Sequence, residues 1–162
     1  NILIEYYPKQ KEILSEETAF IMTNLMQTVI DRGTGGSVRW KYNFYHPAAG
    51  KTGTTQGWTD AWFVGFSTQI AAGAWFGIDD PQVSLGKGAD GTRAALPAWA
   101  RFMKTAHDSL YYSKEKFQQP EKVQTFSICQ VSKEKPTPLC PLEKELFILG
   151  TDPSRLCKIH RR

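Results

Sequence analysis

The chain has 162 residues, of which 41% are hydrophobic and 22% charged, and this composition is typical of a globular protein with a proper core. No run reaches the ~18 consecutive apolar residues of a membrane span, and the first residues do not follow the signal-peptide pattern. The net charge of +4 lies entirely near the C-terminus, because residues 1–110 carry ten Lys/Arg and ten Asp/Glu whereas residues 111–162 carry ten and six. Aromatic residues do not alternate with these basic ones, so we predict no nucleic-acid partner.

The first two predicted elements are a strand and a helix. Residues 2–7 are apolar, β-branched and aromatic, which predicts a strand. Since the chain starts at Asn1 without Met, we interpret it as a piece of a longer protein. Ser15 is the predicted N-cap of a helix that Gly33 terminates. The residues of this helix that we expect to face the core share helical spacing: Ala19, Met22, Met26, Val29 and Ile30.

Residues 50–55 read G-K-T-G-T-T, so one ammonium and three hydroxyls lie beside two flexible glycines. Apolar runs follow at 61–66 and 70–78, which predict buried strands behind this segment. Glycine lets the backbone of a ligand approach closely because it has no Cβ. The stretch therefore predicts an anion-binding strand at the rim of an active site.

A phosphate-binding loop is excluded for the same stretch. The pattern G-x-x-x-x-G-K-[ST] requires glycine five residues before Gly50, where this chain has Tyr45. It also requires a helix that begins at the lysine, whereas residues 53–57 are poor helix formers as a set. We therefore do not expect nucleotide binding.

Two more strands and a helix are predicted downstream. Residues 60–67 and 69–79 predict strands, and the first is apolar on both faces, which indicates a sheet covered by helices. Pro97 begins another helix, near whose end His107 is predicted to be charged or capping. The apolar stripe of that helix consists of Trp99, Met103, Ala106 and Leu110.

All three cysteines follow a change of composition at residue 110, where we place a domain boundary. Clustered cysteines in a loop-rich segment favour a disulfide in an oxidising compartment with one thiol left over. We predict that Cys129 and Cys140 form this disulfide and that no metal is bound. Unpaired thiols are one alternative. A zinc site is another, since His160 lies three residues after Cys157, although the spacing is too loose for a standard zinc finger.

The motifs at 51–55 (K-T-G-T-T), 60–65 (D-A-W-F-V-G) and 75–80 (W-F-G-I-D-D) resemble, in this order, the transpeptidase domain of class A (bifunctional) penicillin-binding proteins. The resemblance covers about residues 12–110, and a weaker likeness to the C-terminal tails of some members continues to His160. K-T-G alone is a weak signal, whereas the ordered set is specific. Supporting similarities occur at the helix start 14–19, the helix exit 31–35 and P-A-W at 97–99.

The resemblance implies an α+β fold with an antiparallel sheet covered by helices. This arrangement is part of the three-layer sandwich of penicillin-binding proteins and serine β-lactamases. Residues 1–110 are expected to form the C-terminal portion of a transpeptidase domain. Residues 111–162 are expected to form a basic, cysteine-containing extension, an irregular C-terminal tail.

The resemblance also implies a function, a peptidoglycan D,D-transpeptidase that cross-links stem peptides through a serine acyl-enzyme and binds penicillin. Carried over by position, Lys51 is a catalytic residue that supplies positive potential near the serine. Thr52 and Thr54 hold the substrate carboxylate, and the Thr54 N–H also belongs to the oxyanion hole. Gly53 leaves room for the peptide, and Thr55 completes the substrate-binding segment. No cofactor is expected.

The nucleophile motif of this family is missing from its expected place. S-x-x-K should precede K-T-G, and no S-x-N occurs. We therefore expect this chain to be inactive without the rest of its parent. Three S-x-x-K strings follow K-T-G, in a loop or in the charged tail, and we regard them as coincidental: Ser84–Lys87, Ser113–Lys116 and Ser132–Lys135.

The resemblance names partners, a location and alternatives. The expected partners are a stem peptide ending in D-Ala-D-Ala, β-lactam antibiotics and the remainder of the parent chain, which carries the nucleophile and a glycosyltransferase domain. The expected location is the periplasm or the extracytoplasmic face of the membrane, with an anchor outside this chain. Alternative functions are a β-lactamase or D,D-carboxypeptidase of the same fold, or a non-catalytic binding module.

Overall fold

The computed structural model describes residues 11–80 and 82–160, so the strand predicted at 2–7 lies outside the described residues. Within these ranges no helix combines the length and apolarity that crossing a bilayer demands. The chain divides into a larger unit, residues 22–118, and a smaller unit, residues 1–21 with 119–162. The helices and strands are α1 Glu16–Asp31, α2 Ser37–Trp40, β1 Ala48–Thr54, β2 Asp60–Ser67, β3 Ala71–Gly77, α3 Leu96–Ser109, β4 Val123–Cys129 and β5 Leu142–Ile148.

The larger unit contains an antiparallel sheet of order β1-β2-β3. Its register pairs Lys51 with Val64 and Trp62 with Trp75. Sheet and helices together confirm the predicted α+β class. β1 lies at the edge of this sheet, so one side of its backbone faces away from β2.

The core lies on the face of the sheet that α3 covers. The Trp99 ring packs 4.8 Å from the Phe63 ring, and its Nε1 donates to the Ala72 carbonyl at 3.0 Å, so the helix packs close to the small side chains of β3. The opposite face of β2 is not covered by the described residues, since Trp62 is 44% and Val64 54% exposed. The prediction that β2 is buried on both faces is therefore wrong. The core comprises Ile30, Val38, Phe44, Ala48, Phe63, Ala95, Leu96, Trp99, Ala100 and Met103.

Helix α1 has the predicted ends but not the predicted burial. The Ser15 hydroxyl accepts a bond from the Thr18 N–H at 3.3 Å, which is an N-cap, and the helix ends at Asp31. Of the five residues expected in the core, only Ile30 is buried, while Met22 is 51% exposed. Periodicity identifies the apolar face of a helix, but it cannot say whether another element covers that face.

His107 is a buried core residue, whereas the sequence predicted a charged or capping histidine near the helix end. Its side chain is only 1% exposed. One ring nitrogen lies 2.7 Å from the Met103 carbonyl and the other 2.9 Å from the Ser67 hydroxyl, so both nitrogens have partners. The predicted stripe of α3 is buried at Trp99 and Met103, but Leu110 is 57% exposed just beyond the helix end.

The C-terminal segment, predicted to be irregular, contains an ordered hairpin. β4 and β5 pair antiparallel, and the rings of Phe126 and Phe147 meet edge to face at 6.1 Å. Lys133 and Glu143 form an ion pair across the connection. These contacts stabilise a two-stranded sheet, which the turn-rich composition of the segment did not predict.

The cysteines do not follow the predicted pairing. None of the three forms a disulfide, and the sulfur atoms of Cys129 and Cys157 lie 3.6 Å apart. The sulfurs lie in a cluster with the His160 ring in which all four donor atoms are within 4.8 Å of one another. We predicted no metal site, yet the chain brings together four side chains of metal-ligand type, because the hairpin connects segments that are distant in sequence.

Candidate functional site

The accessible end of β1 forms the candidate site. The first three residues of the strand, 48–50, are buried, and Lys51 is the first exposed one. Gly50 lies so close to Phe63 that an added Cβ would be 3.0 Å from its ring, so the strand can bury its first half only with glycine there. The buried half anchors the strand, while the half that carries the K-T-G residues remains accessible.

The ammonium of Lys51 lies back along its own strand. Nζ donates to the Thr52 carbonyl at 2.9 Å and to the Thr52 hydroxyl at 3.2 Å. An ammonium has three N–H donors, so one stays available for an anion. When the Thr52 hydroxyl accepts this bond, its own proton is available to donate. Positive charge and a hydroxyl donor thus lie together on the strand.

The Thr54 hydroxyl is oriented by the turn that precedes α3. It accepts a hydrogen bond from the Gly91 N–H at 3.1 Å. Gly91 lies so close to β1 that an added Cβ would be 2.8 Å from the Gly53 carbonyl. The Asp90 carboxylate caps the same turn by accepting from two backbone N–H groups at 2.9 Å each. The Thr54 proton therefore remains free to donate elsewhere.

Thr34 also belongs to this site, although the sequence analysis did not predict it as a site residue. Its hydroxyl lies 3.4 Å from the Thr52 hydroxyl. Its carbonyl accepts a long bond, 3.5 Å, from the Thr92 hydroxyl. Proximity of Thr34 to Thr52, 18 positions apart, arises from tertiary packing. The only sequence feature that could have indicated Thr34 as a site residue was its hydroxyl group within a glycine-rich turn.

Thr55 is oriented differently from the other predicted substrate-binding residues. Its hydroxyl lies 2.7 Å from the Thr59 hydroxyl and accepts from the Asp60 N–H at 2.8 Å. These bonds hold the turn between β1 and β2. Of the predicted site residues, the structure thus joins Lys51 to Thr52, bonds Thr54 to Gly91 and engages Thr55 in the turn.

The alternation of the β1 backbone determines which N–H groups face the open edge. The Thr55 N–H donates to the Asp60 carbonyl at 3.1 Å, toward β2. Successive N–H groups of a strand point to opposite sides, so the Thr54 N–H is directed away from β2. The Thr52 carbonyl follows the same alternation, since it accepts from Lys51 and not from β2. A donor and an acceptor are thereby presented to a chain lying along β1.

Comparisons with known proteins find a family match for each of the two parts of the chain. Residues 4–103 match the family described as "Penicillin binding protein transpeptidase domain", and residues 119–162 match "Penicillin-binding protein 1A, C-terminal domain". The chain is 33% identical to Penicillin-binding protein 1A of Aquifex aeolicus over 156 residues, which is 96% of this chain and 21% of that protein. It is 40% identical to Penicillin-binding protein 1A of Pseudomonas aeruginosa over 94 residues, 57% of this chain and 11% of that protein.

A solved structure extends the agreement to the fold. The crystal structure of Penicillin-Binding Protein 1A from Haemophilus influenzae superposes with a TM-score of 0.80 at 31% identity, covering 95% of this chain and 23% of that one. The chain spans about a fifth of the length of the relatives it matches. Since a family match covers well over half of the sequence, the chain belongs to the penicillin-binding protein transpeptidase family.

Proposed function

We propose that this chain forms one wall of the active-site cleft of a peptidoglycan D,D-transpeptidase, in which β1 binds the carboxylate end of a stem peptide. The observation that supports this proposal best is the accessible end of β1, where the Lys51 ammonium lies 3.2 Å from the Thr52 hydroxyl. A cation and hydroxyl donors on an open strand edge suit a ligand that is both a peptide and an anion.

Substrate recognition would combine charge with strand pairing. The free N–H of Lys51 and the protons of Thr52 and Thr54 would donate to the terminal carboxylate of D-Ala-D-Ala or to the carboxylate of a β-lactam. Gly53 would keep the adjacent edge clear of side-chain atoms. Main-chain groups of β1 would then pair with the peptide as an additional strand.

Acyl transfer requires a nucleophile and an oxyanion hole. A serine from the remainder of the parent chain would attack the carbonyl of D-alanine and expel the terminal D-alanine, which leaves an acyl-enzyme that a second stem peptide resolves. The Thr54 N–H, directed to the open edge of β1, would be one oxyanion donor. Removal of one such donor typically costs about 10²–10³ in rate.

The full protein would act on the outer side of the cytoplasmic membrane, where peptidoglycan is cross-linked. The nucleophile segment, a glycosyltransferase domain and the membrane anchor would belong to the rest of the parent. That part would also cover the exposed face of β2. This chain alone would not react with penicillin, because it supplies carboxylate-binding and oxyanion groups without the attacking serine.

The first experiment measures covalent labelling of the full-length parent protein by a fluorescent penicillin. We expect Lys51→Ala to slow acylation about 10–100-fold, because a hydrogen bond to a charged group contributes about 1.5–3 kcal/mol. Thermal unfolding of the same variant should be nearly unchanged, since Lys51 is exposed. Wild-type labelling of Lys51→Ala would contradict the proposed role.

Lys87 provides a matched control, because it is an exposed lysine in a loop of the same unit. Lys87→Ala should label at the wild-type rate. Ser84→Ala should do the same, since the Ser84 hydroxyl donates to the Gly57 carbonyl at 2.6 Å and serves the loop, not the reaction. Loss of labelling in Ser84→Ala would instead place the nucleophile in this chain.

The lifetime of the label distinguishes the alternative functions. A transpeptidase should retain the penicilloyl group for a long time and transfer acyl groups to an amine acceptor. Rapid release to water would indicate a β-lactamase, and release of D-alanine without transfer would indicate a carboxypeptidase. A parent protein that takes no label would indicate a non-catalytic binding module.

A further inference from the structure

Four side chains of metal-ligand type converge in the smaller unit, outside the site described above. Cys129 ends β4, Cys140 precedes β5, and Cys157 and His160 follow in the C-terminal segment. The distance from Cys129 Sγ to Cys157 Sγ is 3.6 Å. The Nδ1 atom of His160 lies 3.4 Å from Cys129 Sγ and 3.5 Å from Cys157 Sγ. All four donor atoms, that of Cys140 included, lie within 4.8 Å of one another.

The separations among Cys129, Cys157 and His160 are those of ligands around a tetrahedral zinc ion. Bond lengths of about 2.3 Å to sulfur and about 2.0 Å to nitrogen, at tetrahedral angles, place two sulfurs about 3.8 Å apart and a sulfur and nitrogen about 3.5 Å apart. A disulfide would instead require about 2.05 Å between sulfurs. The observed 3.6 Å between Cys129 and Cys157 matches ligands that share one ion.

Main-chain hydrogen bonds hold the ligand-bearing segments together. The Cys129 N–H donates to the Glu134 carbonyl, and the Cys157 N–H donates to the Lys135 carbonyl, both at 2.9 Å. The two cysteines are therefore fixed by neighbouring residues of a single loop. These bonds bring together the main chain of the two segments that carry the sulfur atoms, which reduces the ordering that an ion has to impose.

Backbone N–H groups also point at the sulfur atoms. The Ser132 N–H donates to Cys129 Sγ at 3.5 Å, and the Thr137 N–H donates to Cys140 Sγ at 3.2 Å. The Thr137 hydroxyl donates to the His160 carbonyl at 2.7 Å and so fixes the fourth ligand. Hydrogen bonds of this kind orient metal ligands and stabilise the negative charge of thiolates.

The smaller unit has little hydrophobic core to stabilise it. Its buried residues in the described part of the chain are Val123, Ile128, Cys129 and Cys157, so half of them are ligands of this cluster. Units this small usually need a disulfide or a metal in addition to their core. The apolar residues of the unit's described part that remain about half exposed or more are Ile13, Leu14, Val131, Leu139, Leu142, Leu149, Leu156 and Ile159.

We propose that Cys129, Cys140, Cys157 and His160 form a structural zinc site. Three thiolates and the Nδ1 atom of His160 complete a closed tetrahedral shell, with no position open for catalysis. Binding of Zn²⁺ releases the three thiol protons, and the free energy of binding contributes to the folding of the hairpin. The site is independent of the transpeptidase proposal, because it lies in the smaller unit and takes no part in acyl transfer.

The test measures the metal content of the 162-residue chain, purified under reducing conditions and loaded with Zn²⁺ alone. We expect one zinc per chain by elemental mass spectrometry. Removal of zinc with a chelator should lower the unfolding temperature and expose all three thiols to alkylation. Co²⁺ in place of Zn²⁺ should give thiolate-to-metal charge-transfer bands and the visible bands of a tetrahedral ion.

The variants Cys157→Ser and His160→Ala should each lose the zinc, from one per chain to a small fraction of that. Lys158→Ala is the matched control, because Lys158 lies between two ligands, is exposed and offers no ligand, so it should keep one zinc. If a variant fails to fold, the Co²⁺ titration of the unaltered chain still tests whether the four side chains bind a tetrahedral metal ion. Three results would overturn the proposal. The chain could bind neither Zn²⁺ nor Co²⁺, it could contain iron instead, or its mass could be lower by two hydrogens because two cysteines form a disulfide.

Discussion

At the scale of single residues, Gly91 shows how closely the candidate site is packed. A Cβ at this position would lie 2.3 Å from the Trp62 carbonyl and 2.8 Å from the Gly53 carbonyl. Both contacts are with backbone atoms, which cannot rotate away as a side chain does. We therefore predict that Gly91→Ala lowers the free energy of unfolding by about 1–3 kcal/mol through overpacking, measured by urea denaturation.

Gly73 offers the control for this measurement. An added Cβ there would meet only Val64 Cγ2, at 3.7 Å, which is an ordinary contact. Gly73→Ala should change the stability by less than about 0.5 kcal/mol, as is usual for surface substitutions. Equal effects of the two substitutions would contradict the close approach of the turn to β1.

We expect His46 to make the stability of the larger unit depend on pH. Burial, and then the neighbouring His107, lower the pKa of His46 below its ordinary value of 6.5, with a smaller contribution from Lys114, while a hydrogen bond with the Ser113 main chain and the charge of Asp108 oppose the shift. Its Nδ1 atom is buried without a hydrogen-bond partner among the described residues. Both observations indicate that the folded unit contains neutral His46.

We predict that the chain loses stability as the pH falls below about 6.5. In the window between the lowered folded pKa and about 6.5, the unfolded chain binds more protons than the folded one, so stability rises with pH there. Urea denaturation from about pH 7 to pH 5 measures this slope. His46→Gln, which cannot be protonated, should flatten it. An unchanged slope would show that other groups are responsible.

At the scale of elements, the turn before α3 connects the helix to the site. The Asp90 carboxylate accepts from the N–H groups of Thr92 and Arg93 at 2.9 Å each, so it caps the single π-helical turn at residues 91–95. The same turn presents the Gly91 N–H to Thr54. The Asp90 cap thus stabilises the start of the helix and, through the Gly91 N–H, also orients the Thr54 hydroxyl of the site.

We predict that Asp90→Ala lowers the free energy of unfolding by about 0.5–2 kcal/mol, the usual cost of losing such a cap. Asp90→Asn should retain most of the stability, because its amide oxygen can accept the same bonds. Thermal unfolding of both variants measures the difference. Similar losses for Ala and Asn would show that charge, and not capping, is the important property.

At the scale of the whole molecule, apolar surface of the larger unit is left uncovered by the described residues. Trp62 is 44%, Val64 54% and Met22 51% exposed. Large contiguous apolar surfaces usually mark an interface. The chain spans about a fifth of its relatives' length, so we expect the rest of a full-length protein to cover these faces.

The sequence by itself determined the family and most local elements before residue 110. The bounds of β2 follow from its continuous apolar run and the end of α1 from helix-terminating glycine, because these signals act within a few residues. The K-T-G strand was recognisable because its ammonium, hydroxyl groups and glycines by themselves predict an anion-binding segment. These features depend on neighbours in the chain, so they can be read without the fold.

Tertiary structure alone decided which faces are covered and which distant residues meet. Burial of His107, the contact of Thr34 with Thr52, and the convergence of Cys129, Cys157 and His160 join positions far apart in sequence. A pattern of apolar or cysteine residues in the sequence indicates which side chains of a segment can be buried or can bind a metal. Whether it does so depends on packing between elements, which local propensity does not encode.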